Sequence, residues 1–592
     1  MSVFKPFKTL KKYTRSFFIL FFITSFTFIV LTTAGCCKSN PQKDKDIRLV
    51  VMVVIDQLRA DIITRMENRF KDDGFRYLIN HGTWYQNARY GYATTITAVG
   101  HATIFTGTTP SVHGITGNSW FDQENKQKVF STSIFETDPS DPQKKVEIYG
   151  PYQLLTSTIG DEFIMSSNRK NRVFSISYKD RGAILPGGRL GKAFWYDRKN
   201  GQFRTAPYYY KEDPAWLTSW NNRKDIDQYK KQKWELLEQE SNYIYRDTTD
   251  NTRGTFRKSI KEKILASRSN DKNVLASFPH SLTGLSEKDF YDQLFYTPFG
   301  DEFTVDFTCY VMEKEKIGQN GTTDMLTLSL SCTDTIGHSY GPDSLEYEDN
   351  ILRVDQSLSK LFNYIDEKVG LQHTLIVLTG DHGVDSVPEY RELNGLPTGV
   401  MDPKEIKALL DKELQTQFIK TDKKNINRDK NNQLIEFVEG FWNPSLYLKL
   451  ETIKELGLNI EEVEKTATQI LLTQFKGISV AVTRSDILKG NLPDTLFAKD
   501  LINVFNPERS GNILIIQKPH WYLYSSNDDP AMHGSPYSYD NHVPLFFVGP
   551  GIKKQSVYRQ VRPWDIVGTL ALKLGIESPA AASQDTLVEI FD

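Results

Sequence analysis

The sequence predicts an α/β protein built on a central, largely parallel sheet sandwiched by helices, with inserted cap segments. Three stretches carry that prediction. Leu49–Asp56 (LVVMVVID), Leu326–Asp334 (LTLSLSCTD) and Thr374–Asp381 (TLIVLTGD) each run apolar and stop at an aspartate. Unbroken Val/Ile/Leu runs read as strands buried on both faces, which requires a parallel sheet covered by helices. A fourth run, Val543–Val548, resumes the sheet near the end of the chain. Helical patterning is expected near Arg59–Asn80, over Phe290–Glu315 and over Pro563–Leu574.

The first residues form a separate object. Lys5, Lys8, Lys11, Lys12 and Arg15 precede an apolar stretch, Phe17–Leu31, and small residues follow up to Ala34-Gly35-Cys36. This is the layout of an export signal, assigned to residues 1–36. Its end resembles a bacterial lipobox, so attachment to a membrane through a lipid on Cys36 is expected. The rival is an uncleaved anchor, for which the run is short. Either reading puts the folded part outside the cytoplasm, in the periplasm or at the outer membrane. A polar tether, 37–47, leads into one large domain, 48–592.

Within that domain, Tyr90–Asn118 is rich in Gly, Thr and His. Around Phe194–Lys263 aromatics (Phe194, Trp195, Trp216, Trp220, Trp234) mix with charges and show no clean strand. This region, about 190–290, is read as an insertion. A second insertion, about 389–518, is read as a small αβ cap. Asp402-Pro403 starts a helix there, as N-cap and first helical residue. Leu434–Leu450 and Ile478–Thr483 alternate like strands, and Ile460–Gln474 fits a helix. There is no internal repeat.

The chain has 592 residues, with 72 Lys+Arg against 74 Asp+Glu. No basic stripe marks a nucleic-acid partner, and a monomer acting on small molecules is expected. Of four cysteines, Cys36 and Cys37 belong to the processing site. Cys309 and Cys332 are expected to stay unpaired, because Cys332 falls in a strand and a buried free thiol packs as a small hydrophobe.

Open α/β sheets bind ligands at the carboxyl ends of their strands. Asp56, Asp334 and Asp381 therefore converge on one edge, with His338 and His382 beside them. An aspartate after a strand is often only a turn residue or N-cap, but three with histidines attached point to a metal. Mixed His/Asp ligation suits zinc with an open position. His533 is expected to complete a second site, with His542 as runner-up. His81, His113, His280, His373 and His520 are read as surface or packing residues. Two zinc ions roughly 4 Å apart clamp the attacking and leaving oxygens of an in-line displacement. The nucleophile is sought among the hydroxyls of Thr94, Thr95 and Thr97, where a helix starting just after it adds N–H groups for an anion.

Asp56, Thr97-x-x-Gly100-His101-Ala102, Thr106-Gly-x-x-Pro110-x-x-His113-Gly114-x-x-x-Asn118, Asp334-x-x-x-His338, Asp381-His382-Gly383 and His533-Gly534 together resemble the alkaline phosphatase superfamily. The likeness is greatest to the branch shared by nucleotide pyrophosphatase/phosphodiesterases and the phosphate-irrepressible alkaline phosphatases with a threonine nucleophile. It implies Thr97 as nucleophile and a transient phosphothreonine. It implies Asp56, Asp381 and His382 on one zinc, with Thr97 as a further ligand, and Asp334, His338 and His533 on the other. Asn118 would donate to a phosphoryl oxygen.

The choice between monoester and diester turns on Tyr178-Lys179-Asp180-Arg181, similar to the Lys-x-Arg motif of the phosphate-irrepressible enzymes. A monoester dianion has an extra unesterified oxygen, and two cations beside Asn118 favour the more highly charged transition state. Lys179 and Arg181 are thus expected to bind substrate in an alkaline phosphatase acting on phosphate monoesters. The alternative is a phosphodiesterase on the same scaffold. A sulfatase would need a Cys- or Ser-x-Pro-x-Arg site, which the segment around Thr97 does not show. A phosphate-ester receptor would fit a metal-free edge.

Overall fold

Nine strands form the main sheet of the computed structural model, which describes residues 47–138, 140–246, 278–419, 435–524 and 530–591. The expected export signal and the lipid site at Cys36 lie outside the described residues. In chain order the strands are β1 (Leu49–Ile55), β2 (Gly82–Arg89), β3 (Arg172–Ser177), β4 (Lys192–Asp197), β5 (Gln202–Arg204), β6 (Asp324–Leu330), β7 (Thr374–Gly380), β8 (His542–Val548) and β9 (Gln555–Val557). Their spatial order is β9-β2-β8-β7-β1-β6-β3-β4-β5. Among these, only β8 and β5 run against the rest, so the sheet is largely parallel.

Alternate residues of β1 feed two cores. Leu49, Val51, Val53 and Ile55 pack with Phe303, Phe307 and Leu358, which lie on the helices Phe299–Glu315 and Leu345–Lys368. Val50, Met52 and Val54 pack on the other face with Val99, Phe105, Ile566 and Leu570. Side chains of a strand alternate between faces, so an all-apolar run is what a sheet covered on both sides demands. This is the physical content of the three runs read from the sequence.

The second insertion has its own core and a four-stranded sheet. Val438–Trp442 and Ser445–Leu448 pair as a hairpin, and Ile513–Gln517 joins them to Ile478–Thr483. The helices Pro403–Phe418 and Ile460–Gln474 contribute Leu410, Leu414, Val463 and Leu471 to the core beside it. Asp402 caps the first of these by accepting from Lys404 N at 2.8 Å.

Three expectations need correction. The aromatic segment is not a strandless insertion, for β4 and β5 belong to the main sheet. Phe194, Trp220 and Trp234 are buried in the main core, and the Phe203 and Phe307 rings stack at 3.9 Å. In KAFWYD both faces need large apolar groups, so aromatic content marks core rather than a surface pocket. The helix expected near Arg59–Asn80 is two, Ala60–Met66 and Phe75–His81. The helix over Phe290–Glu315 is broken at Thr297, held extended (φ −134°, ψ 159°) by the following Pro298.

Cys309 and Cys332 are both free thiols, as expected, with Cys332 buried.

Candidate active site

The site begins with strand register. Ile55 of β1 lies opposite Leu330 of β6 and Gly380 of β7. Asp56 and Asp381 are the next residues, so the sheet itself sets their carboxylates side by side. Asp56 N donates to Leu330 O at 2.9 Å, which fixes the turn out of β1.

Asp334 arrives differently from expectation. β6 ends at Leu330, and Asp334 and His338 sit on a helix, α2 (Cys332–Tyr340), rather than at a strand-to-loop transition. Asp301 starts that helix by accepting from Ser331 N (2.8 Å) and Cys332 N (3.1 Å). Burial pushes the Asp301 carboxyl up to about 7, against those two hydrogen bonds. One helical turn then brings His338 Nε2 to 3.2 Å from Asp334 Oδ1.

Thr97 is the first residue of a buried helix, α1 (Thr97–Thr106). Its Oγ1 lies 3.4 Å from His382 Nε2. Asn118 accepts from Ala98 N at 2.9 Å, so its carbonyl oxygen is committed to the helix start and its amide nitrogen is left for another partner. Gly100 lets α1 approach β7: a Cβ there would stand 2.2 Å from Asp381 O.

Three imidazoles share one orientation. His338 Nδ1 donates to Ala531 O (2.5 Å), His533 Nδ1 to Thr95 O (2.8 Å) and His382 Nδ1 to Gly383 O (2.9 Å). Each Nε2 is thereby turned inward, the arrangement that metal-ligating histidines adopt. His338 Nε2 and His533 Nε2 face each other at 3.2 Å, and His382 Nε2 stands 3.3 Å from Asp56 Oδ1 and 3.6 Å from Asp381 Oδ2. Asp56 Oδ1 and Asp381 Oδ2 are buried and make no hydrogen bond. Lone pairs aimed at one another in a buried centre fit a cation, and the N/O donor set fits zinc.

Two groups have donor atoms within 4.8 Å of one another: Asp334, His338 and His533, and Asp56, Asp334 and His382. Asp334 stands in both, while Asp381 joins through its 3.6 Å approach to His382. His542 does not join; its Nε2 donates to Gln86 O at 2.8 Å.

Lys179 is buried at the middle of the cluster, with Nζ 2.6 Å from Asp56 Oδ2 and 2.5 Å from Asp334 Oδ2. Burial and the Asp334 charge raise the pKa of Asp56, but the Lys179 ammonium and the His382 imidazole together hold the carboxyl well below the usual range. Asp334 is depressed likewise, against burial, by His338 and Lys179. Asp381 moves the other way, raised by burial and by the charge of Asp56. Burial disfavours a charged His382, yet Asp381 and Asp56 push it up to about 9, whereas burial and the His382 charge bring His533 down to about 3. The field that draws a proton to His382 also draws a divalent ion. Arg181 pairs with its own neighbour: its Nη1 lies 3.6 Å from Asp180 Oδ1, and its Nε is buried without a hydrogen bond.

Two buried residues escaped the sequence reading as functional. His101 Nδ1 stands 2.9 Å from Thr97 O and 3.2 Å from Asp381 Oδ2, and its Nε2 stands 2.9 Å from Ser329 Oγ. Gln57 donates from its main chain to Asp381 Oδ1 (3.0 Å) and from its side chain to Asp334 Oδ1 (2.8 Å). The signals were present as His101 one helical turn from Thr97 and Gln57 directly after Asp56. Neither residue type, at those positions, announces a hydrogen bond to a distant carboxylate.

The profile of the family "Type I phosphodiesterase / nucleotide pyrophosphatase" matches residues 50–538. The chain is 32% identical over 555 residues to the calcium-transporting ATPase of Myroides odoratus, covering 92% of this chain and 96% of that protein. It is 31% identical over 553 residues to alkaline phosphatase PhoV of Synechococcus elongatus, covering 93% and 94%. The crystal structure of alkaline phosphatase PafA superposes with a TM-score of 0.78 at 28% identity, over 92% of this chain and 99% of that one. Among the described residues no helix is long and apolar enough to cross a membrane.

Proposed function

Because this chain belongs to the type I phosphodiesterase / nucleotide pyrophosphatase family, we propose that it is an exported alkaline phosphatase that hydrolyses phosphate monoesters with two zinc ions and a phosphothreonine at Thr97. The full-length similarity to alkaline phosphatases supports the monoesterase activity. The observation that carries it is Lys179, a buried cation in contact with two of the candidate ligands. A monoester offers such a group one more unesterified oxygen, where a diester carries a second organic substituent.

Asp56, Asp381 and His382 would hold one ion, with Thr97 as its further ligand, and Asp334, His338 and His533 would hold the other. Zinc supplies charge that polarises phosphoryl oxygens and lowers the pKa of a coordinated hydroxyl or water. Thr97 Oγ1 attacks phosphorus as the ester P–O bond breaks, and water then cleaves the Oγ1–P bond. The transition state is loose, so the protein contributes position and charge. The Asn118 amide holds one phosphoryl oxygen, and Lys179 with Arg181 grips the spare ones. Arg181 reaches them by turning from Asp180, a pairing that is partly exposed and weak. Export, lipid attachment at Cys36 and a monomeric state complete the proposal.

The test is phosphate release from an aryl phosphate monoester against an aryl methyl phosphate diester. Faster catalysis on the monoester is expected; faster catalysis on the diester would favour the phosphodiesterase reading.

A further inference from the structure

We propose that Gln57 is a positioning residue that locks the two ligand groups together and governs retention of the ion held by Asp334, His338 and His533. The inference rests on the two-ion reading above.

Gln57 follows Asp56 at the end of β1, is fully buried, and has φ of 68°, a left-handed conformation that non-glycine residues rarely adopt. Strained backbone of this kind persists only where surroundings over-determine it. Here three contacts do so. Its N–H donates to Asp381 Oδ1 (3.0 Å), its Nε2 donates to Asp334 Oδ1 (2.8 Å), and its carbonyl accepts from Tyr347 Oη (2.8 Å). One residue thus holds a carboxylate of each group, by main chain on one side and by side chain on the other.

The opposing surface is shaped to admit it. Gly337 lies between Asp334 and His338 on α2, and a Cβ there would stand 1.7 Å from Gln57 Oε1. The helix carrying both ligands therefore packs directly on this amide. Lys179 also touches Asp334, at the other oxygen, but brings a charge. The Gln57 amide steadies Oδ1 without cancelling the negative charge an ion requires. Outer partners of this sort typically change metal affinity ~10–100-fold. Because the contact to Asp381 is made by the main chain, side-chain substitution leaves that contact in place and acts through Asp334.

The experiment loads the full chain and the variants Gln57→Glu, Gln57→Met and Gly337→Ala with zinc, dialyses them against graded free zinc, and measures bound zinc per chain and melting temperature. Gln57→Glu keeps the shape and replaces the donor by an acceptor. Gly337→Ala displaces the amide without altering it. Each variant should lose one ion at a free zinc where the wild type keeps two, with the weaker ion released at ~10–100-fold higher free zinc. Wild type and both Gln57 variants all holding two ions with equal affinity overturns the inference alone, and so does simultaneous loss of both ions in Gln57→Met. A wild type holding fewer than two ions overturns the reading of the site and this inference with it.

Discussion

Asp56, Asp381 and His382 stand immediately past two neighbouring strands in register, whereas Asp334 and His338 ride on a helix and His533 on a loop 195 residues beyond His338. The first group is placed by sheet hydrogen bonds, and moving it means moving β1 against β7. The second is assembled from a helical turn, two imidazole-to-carbonyl hydrogen bonds and the Gln57 amide. The lesson is that one centre combines a rigid half with a half that can be perturbed piecemeal. Substitutions at each half should therefore fail in different ways.

The largest effect is expected at the nucleophile, on the rigid half. Thr97→Ala removes the hydroxyl beside His382 and should lower activity by ~10⁴-fold or more while abolishing the phosphoenzyme, since deleting a nucleophile can cost ~10⁶. A phosphopeptide that persists in this variant would move the nucleophile elsewhere. Next, Lys179→Ala with Arg181→Ala should cut monoester kcat/KM by about 10²–10⁴, as each charge-assisted hydrogen bond is worth about 1.5–3 kcal/mol. Diester turnover should fall much less; equal losses would remove the specificity argument.

The halves are separated by comparing His382→Ala with His533→Ala. The former also deprives Thr97 of its neighbour, so excess zinc should leave it impaired, whereas His533→Ala should lose ~10–100-fold and recover in part at high zinc. Identical responses to zinc would erase the distinction between rigid and adjustable halves. The smallest effects come from two glycines. Gly100→Ala drives a methyl to 2.2 Å from Asp381 O and should destabilise the protein by about 1–3 kcal/mol, read in a denaturant melt. Gly534→Ala meets the Asn443 amide at 2.6 Å and holds an unfavourable φ of 112° beside His533. It should cost about 1–3 kcal/mol, and added zinc should restore part of that loss but none of the Gly100→Ala loss.

The rigid half was legible in the sequence because its cause is local. A strand buried on both faces has to be apolar throughout, and the residue that ends it is visible as Asp56 or Asp381. The other half was legible as residues but not as structure. Asp334-x-x-x-His338 has helical spacing, yet its apolar lead-in from Leu326 made it look like the end of a strand. Gln57 and His101 were missed because their partners lie 324 and 280 residues away in sequence, and a hydrogen bond of that range leaves no pattern. The aromatic segment around Phe194–Trp234 misled for the opposite reason. Its strands are short and interleaved with charges, so burial in the main core became apparent only once Phe203 met Phe307.

The central claim is that two divalent ions held by these side chains drive monoester hydrolysis. It is tested most directly by measuring zinc content and monoesterase activity on one preparation, before chelation, after it, and after zinc is restored. Two zinc ions per chain are expected, with activity lost on their removal and regained on their return. Undiminished activity in a chelated chain free of transition metal would contradict it.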